Sequence, residues 1–197
     1  MDGTLVLVTA PTIEPLLVRE AKDWARITDD VEDGIVERLI TTARAHVEEL
    51  TGRALTTQTW QYVLDAFPCG GPYPGQIDVP RPPLQTVTFL KYLDQAGVLQ
   101  TISAADYTVD AKRVPARIIP AYGKSWPSPR GVPNAITVEF IAGYGPAPTD
   151  VIEPLRQAIA VLVATLFAQR EAVADRPLAE VPMAFWQLIN QHRIWWL

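Results

Sequence analysis

DVIEPLRQAIAVLVATLFAQREA, residues 150 to 172, is the stretch whose reading decides the fold. Leu155, Ile159, Leu162, Val163, Leu166 and Phe167 recur at the 3.6-residue period of a single helical face. Ala158, Ala160, Val161, Ala164, Thr165 and Ala168 leave the other face small or apolar as well. The pattern predicts a helix that neighbours approach from several sides and bury nearly all round. Pro154 suits a first helical turn, where its missing N–H is not needed, and Glu153 meets the positive end of the helix dipole. Arg170 stands near the far end, before Asp175-Arg176-Pro177 breaks the pattern. Apolar apart from Thr165, residues 158 to 168 would rise only about 16 Å, roughly half a hydrocarbon core. Arg156 and Arg170 bracket that run, so no membrane span is expected.

On the N-terminal side, residues 1 to 15 mix Val and Leu with Pro11 and Pro15 and show no sustained period, which reads as an arm or a short strand. A short helix is predicted from about Leu17 to Ile27, with Ala21, Trp24 and Ala25 on one face. Asp30 or Asp33 is placed to cap a second helix running to about Leu50, with Val36, Leu39, Ile40, Ala43, Val47 and Leu50 on its face and Gly52 as terminator. From Thr56 to Phe67 the period changes to two, and Trp60, Tyr62, Leu64 and Ala66 alternate with Gln61, Val63 and Asp65 in a strand. Further strands are expected at Gln76 to Val79, Val87 to Leu93, Val98 to Ile102, 106 to 109, 117 to 120 and Asn134 to Ala142, with Asp94-Gln95-Ala96-Gly97 as a hairpin turn. After the apolar helix, Pro182 opens a shorter one with Phe185, Leu188 and Ile189 on a face. Helices at both ends with strands between them predict an α+β fold, with the terminal helices packed together and a β-rich layer or lobe apart.

The chain has 197 residues, 48% of them apolar, enough for a sizeable core. Met1-Asp2-Gly3-Thr4-Leu5 has no basic segment followed by a long apolar one, so secretion is not expected and a cytoplasmic origin is. Cys69 is the single cysteine, which excludes an internal disulfide and any multi-cysteine zinc site. A formal charge of −5 argues against a broad surface for phosphate backbones and against tight DNA binding. Eighteen prolines, clustered at 68 to 83 and 115 to 133, predict long shaped loops between strands.

Groups for chemistry are scarce. With two histidines and one cysteine there is no metal-ligand spacing, and His46 reads as a surface or satisfied residue. Gly70-Gly71-Pro72 lacks the lysine and following helix of a phosphate loop. Ser103, Ser125 and Ser128 are the only serines, and none sits in a nucleophile elbow. No enzyme and no cofactor is expected; an unrecognised hydrolase would need a pocket with a perturbed carboxylate or histidine. The acidic residues at the start of the second helix read mainly as dipole matching and a solvated face, beside the possibility of a surface facing DNA or a basic partner. Arg193-Ile194-Trp195-Trp196-Leu197 has two readings: it folds back on the chain's own core, or it inserts into a partner's groove.

Five phrases carry a resemblance: Thr51-Gly52-Arg53-Ala54-Leu55 with Thr57-Gln58-Thr59-Trp60; Pro80-Arg81-Pro82-Pro83-Leu84; Ile119-Pro120-Ala121-Tyr122-Gly123-Lys124-Ser125-Trp126-Pro127; Ala142-Gly143-Tyr144-Gly145; and Gln169-Arg170-Glu171-Ala172. Together they resemble the head-tail connector (adaptor) proteins of long-tailed phages and gene transfer agents, a family also labelled as possible DNA-packaging proteins. The likeness runs from about residue 14 to the C-terminus. It implies a helical bundle with a β-rich insertion, in agreement with the elements read above, which divide the chain into an arm at 1–15, a bundle from 16–55 and 150–192, an insertion at 56–149 and a tail at 193–197. It also implies a ring, usually of twelve copies, in the virion neck beneath the portal protein. Such a ring would extend the channel for passing double-stranded DNA without tight binding, and dock a tail-side connector or stopper protein. The protein would be made in the bacterial cytoplasm and would have no membrane partner. Arg193, Ile194, Trp195, Trp196 and Leu197 would reach the portal; Tyr73, Tyr122, Lys124, Trp126 and Arg130 would lie on loops meeting neighbouring subunits or the tail-side protein. The rival reading is a DNA-engaging packaging factor of the neck, with Arg113, Arg117, Lys124 and Arg130 as its cationic cluster, interleaved with Tyr122 and Trp126.

Overall fold

The computed structural model describes residues 3–69, 73, 75–168 and 182–195. The chain divides into two compact units, one of Met1–Pro11 with Thr57–Gly143 and one of Thr12–Thr56 with Tyr144–Leu197. The fold is α+β, with strands in the first unit and α-helices in the second.

In the second unit the helices are α1 (Val18–Ala25), α2 (Asp33–Thr51), α3 (Glu153–Ala168) and α4 (Met183–Asn190). Val36, Ile40, Ala43 and Val47 of α2, spaced by three or four residues, are sealed from solvent. Leu155, Ala158, Ile159, Ala160, Leu162 and Val163 of α3 are buried with them, and Phe185 and Ile189 of α4 join the same cluster. α3 is buried on more than one side from Ala158 to Val163, whereas Ala164 to Phe167 are half-buried and Ala168 is exposed. The all-round burial expected of this helix therefore holds over its middle, and residues 169–172 of the expected helix lie outside the described residues.

Polar clasps fix how these helices meet. Arg156 of α3 donates from Nη2 to both oxygens of Glu20 at 2.9 Å and from Nε to the Pro15 carbonyl, while Glu20 also accepts the Leu17 N–H at the start of α1. Within α2, Arg44 is held by Glu48 at 2.7 Å and by Glu14 at 2.8 Å, and Glu48 accepts the Leu55 N–H. Gly52 ends α2 at φ 70°, as its position in the sequence predicts.

The expected cap of α2 is a correction. Neither Asp30 nor Asp33 caps it: residue Glu32 precedes the helix without a side-chain cap bond. Both carboxylates instead bind Lys22 Nζ, at 2.6 and 2.7 Å, and Asp29 accepts the Val31 N–H in a short 3-10 turn. A charged ammonium is a stronger partner for a carboxylate than a neutral amide. The pairing raises the Lys22 pKa and lowers that of Asp30.

The first unit holds a five-stranded antiparallel sheet, built from β1 (Gly3–Thr9), β2 (Gln58–Leu64), β4 (Leu84–Leu93), β5 (Leu99–Thr101) and β8 (Ile136–Ala142) in the order β1-β2-β8-β4-β5. β3 (Ile77–Asp78), β6 (Tyr107–Asp110) and β7 (Arg117–Pro120) form a second sheet, ordered β3-β7-β6. β8 is central, and its alternation is complete: Ile136, Val138, Phe140 and Ala142 are sealed while Thr137, Glu139 and Ile141 are half-buried. Tyr62 pairs with Val138, and Leu64 with Ile136, so the buried faces of β2 and β8 coincide. On the other face Gln61 donates to Glu139 at 2.9 Å across the same pair of strands. The opening stretch, ambiguous between arm and strand, is the edge strand β1 over Gly3–Thr9.

Phe185 is fully buried, stacked near His46 with ring centroids 6.4 Å apart and edge-on to Trp186 at 5.4 Å. Phe185→Ala is expected to destabilise the helical unit by about 3–5 kcal/mol through the cavity it leaves. Urea unfolding followed by helical circular dichroism reads that loss.

Candidate functional site

The C-terminal segment begins where α4 ends. Ile194 donates its N–H to the Thr51 carbonyl at 2.8 Å, and Arg53 Nε donates to the His192 carbonyl at 2.6 Å. Arg53 Nη1 also reaches the Tyr144 hydroxyl at 3.3 Å. The last turn of α2 and the residue just beyond Gly52 therefore hold the tail by backbone contacts. Beyond this anchor the side chains turn outward: Arg193 lies over the Trp195 ring at 4.5 Å, and Trp195 is 68% exposed. Trp196 and Leu197 lie outside the described residues. The sequence does not single out Arg53 as the residue that holds the tail, because its partners, the His192 backbone carbonyl and the Tyr144 side-chain hydroxyl, are distant along the chain.

Burial, and then the nearby Arg53 charge, depress the His192 pKa below its ordinary 6.5. The unfolded chain thus takes up this proton more readily than the folded one. The contribution of His192 is fully present above pH 6.5 and is lost as pH falls through that value toward the lower folded one. Hydrogen-exchange protection of the Ile194 amide, corrected for intrinsic rate, is expected to fall across this range, and His192→Gln is expected to flatten the dependence.

In the strand unit the proline loops are shaped by aromatic packing. Trp126 stacks on Phe67 with centroids 4.9 Å apart and planes 9° apart, and donates Nε1–H to the Gly75 carbonyl at 2.6 Å. Tyr73, 45% exposed, lies under the Arg117 guanidinium at 4.6 Å. Tyr122 is fully exposed at the tip of its loop, and Lys124 beside it pairs with Asp106 at 3.3 Å. The Arg130 backbone N–H bonds the Leu93 carbonyl, and its guanidinium lies against Gly97 in the turn between β4 and β5. Of the loop residues expected to meet partners, Tyr122 is thus the most open to solvent, and Trp126 is the one spent on internal packing. Gly75 and Gly123 both take left-handed φ, +76° and +75°, but a Cβ on Gly75 would strike the Trp126 ring whereas one on Gly123 meets open space. Gly123→Ala is expected to cost about 1–2 kcal/mol of backbone strain, and Gly75→Ala distinctly more. Thermal melts of the two variants make the comparison.

The cations expected to engage DNA do not form one open cluster. Arg117, mostly buried, is bound to Asp110 at 3.0 Å, while Lys124 stays open to solvent beside Asp106 at 3.3 Å. The strand unit as a whole has seven basic and seven acidic residues, so the whole surplus of −5 belongs to the helical unit. A cavity of about 430 Å³ is lined by Tyr92, Ile102, Ser103, Asp106, Lys124 and Trp126, among others. Its single acid is the ion-paired Asp106, and no histidine lines it. Among the described residues no group of His, Cys, Asp and Glu is arranged to hold a metal ion, and no helix is long and apolar enough to cross a membrane.

The quoted phrases find their places around the chain crossings. Arg81, at φ 56°, lies over Trp60 at 5.4 Å; Gly143 N–H bonds the Pro83 carbonyl; Tyr144 N–H bonds the Leu55 carbonyl. Gln169-Arg170-Glu171-Ala172 lies outside the described residues.

The family described as Phage gp6-like head-tail connector protein matches residues 16–116, just over half of the chain, and the chain belongs to that family. It is similar, at 27% identity and a TM-score of 0.79, to a chain in the neck of an empty GTA particle computed with C6 symmetry; the match covers 98% of this chain and 97% of that one. At 26% identity and the same TM-score and coverage it is similar to a chain in the virion of a native gene transfer agent particle. A chain in the neck of a native GTA particle computed with C12 symmetry, at 23% identity and TM-score 0.70 over the same shares of both chains, shares the fold. No curated protein matches the chain.

Proposed function

We propose that this protein is a structural adaptor of the virion neck in a phage or gene transfer agent particle. Copies form a closed ring of twelve beneath the portal, extend the DNA channel and dock the next protein on the tail side. The observation that carries the reading is a likeness over 98% of the chain to a protein of a gene transfer agent neck, joined to membership of a head-tail connector family. The sixfold symmetry of that neck accommodates twelve copies as two per repeat. In this reading 16–55 and 150–192 are the helical bundle, 56–149 the β-rich insertion, and no reaction is catalysed.

The charge supports passage of DNA rather than capture. Twelve chains at −5 carry a formal −60, so few phosphate charges are neutralised and few counterions released on contact. The mostly buried, ion-paired Arg117 weakens the alternative of a packaging factor that grips DNA.

The tail is assigned to the portal. Its backbone anchor at Thr51 and Arg53 orients the last residues while the exposed Trp195, capped by Arg193, offers the large amphipathic contact that interfaces favour. Deleting 193–197 removes the Ile194 bond, worth about 1 kcal/mol. The isolated protein should therefore melt nearly as before, while electron microscopy of purified particles shows necks without this protein. A large fall in melting temperature with attachment intact would return the tail to the chain's own core.

A further inference from the structure

Among the exposed apolar surfaces without an assignment, two are flanked by charge of opposite sign. The first is the connection between α1 and α2. Trp24 is 49% exposed, Val31 88% and Ile35 37%, three large apolar side chains within twelve residues of one helical hairpin. Between positions 23 and 37 the chain has six acidic residues and one basic, Arg26, so this apolar patch has an acidic surround. Of the cations that flank this window, Lys22 is consumed by Asp30 and Asp33, and Arg38 follows Glu37; Asp23, Asp29, Glu32 and Glu37 still outnumber Arg26 and Arg38.

The second is the tip of the hairpin between β6 and β7, residues 111–116. Lys112 and Arg113 are exposed and make no ion pair among the described residues, and Val114 beside them is 51% exposed. The one nearby acid, Asp110, faces back into the hairpin, where it binds Arg117 and accepts the Lys112 N–H. The tip is thus a small apolar tooth carrying two positive charges.

We infer that these surfaces dock on each other between adjacent copies of this chain: the Lys112-Arg113-Val114 tip of one copy seats on the acidic patch around Trp24, Val31 and Ile35 of the next. A ring needs a heterologous contact, two different and complementary patches on every subunit, and this chain has an apolar patch of each sign. A buried tryptophan at the centre with charges at the margin is the usual anatomy of a strong contact, and the opposed charges fix its register and disfavour like-with-like pairing. DNA is a poor occupant of either surface, since two cations neutralise little and the other patch repels phosphate.

The inference rests on the ring proposed above, and charge exchange separates the two. Asp23 and Glu37 have exposed side chains without a hydrogen bond or ion pair among the described residues, so Asp23→Lys with Glu37→Lys removes no internal contact. Lys112→Glu with Arg113→Glu likewise removes none. Each pair of substitutions is expected to lower the number of copies per purified particle neck at least about tenfold, and all four together to restore it, with every variant melting like the wild type in isolation. Full occupancy in either reversed variant overturns the contact. Failure of the fourfold exchange to rescue also overturns it. A wild-type neck without a ring of this chain would instead bring down the functional reading itself.

Discussion

Everything in the helical unit depends on covering α3, a helix with too little polar surface to face water on any broad side. Its middle, from Ala158 to Val163, is buried on more than one side by side chains of the other helices, and small alanines let them come close. Hydrophobic burial of this kind supplies energy without direction. Direction comes from Arg156, which ties α3 to the Pro15 carbonyl and Glu20, and from Arg44, which ties α2 to Glu14 while its α2 neighbour Glu48 holds the Leu55 N–H. Such buried pairs add little net stability against an apolar replacement, but breaking one by removing a single partner is expensive, so they select one arrangement among the many that would bury the same area.

The same division of labour recurs at two surfaces that leave aromatic rings exposed. The tail is held by its backbone, the His192 carbonyl accepting from Arg53 and the Ile194 N–H donating to the Thr51 carbonyl, which leaves the Trp195 side chain outside. The proline loops are held by the Phe67–Trp126 stack and the Trp126 bond to Gly75, leaving Tyr122 outside. Anchoring backbone while exposing aromatic rings lowers the ordering cost that a partner would otherwise meet, which suits a protein whose work is binding neighbours.

Charge is distributed by unit rather than by loop. Fifteen acidic residues against ten basic ones fall in the helical unit, and the strand unit is balanced. The chain, a member of a head-tail connector family, thus carries its net negative charge on one unit and leaves charges of both signs balanced on the other.

What the sequence determined by itself was every element whose pattern is local: the 3.6-residue stripe of α3, the two-residue alternation of β2 and β8, the glycine that ends α2 and the turn at Asp94 to Gly97. Local periodicity sufficed because each of those elements buries a face that its own residues define. Tertiary structure decided the rest. β1 showed no period of its own and is a strand because β2 offers it an edge, and the Asp30 and Asp33 carboxylates do not cap α2 because Lys22, eight or more positions away, is a better partner than an amide. Which tryptophans are sheltered was equally hidden, since Trp126 is packed by Phe67 from 59 positions earlier while Trp24 and Trp195 stay open. Exposure is set by what the rest of the chain brings alongside, and no spacing within one segment encodes that.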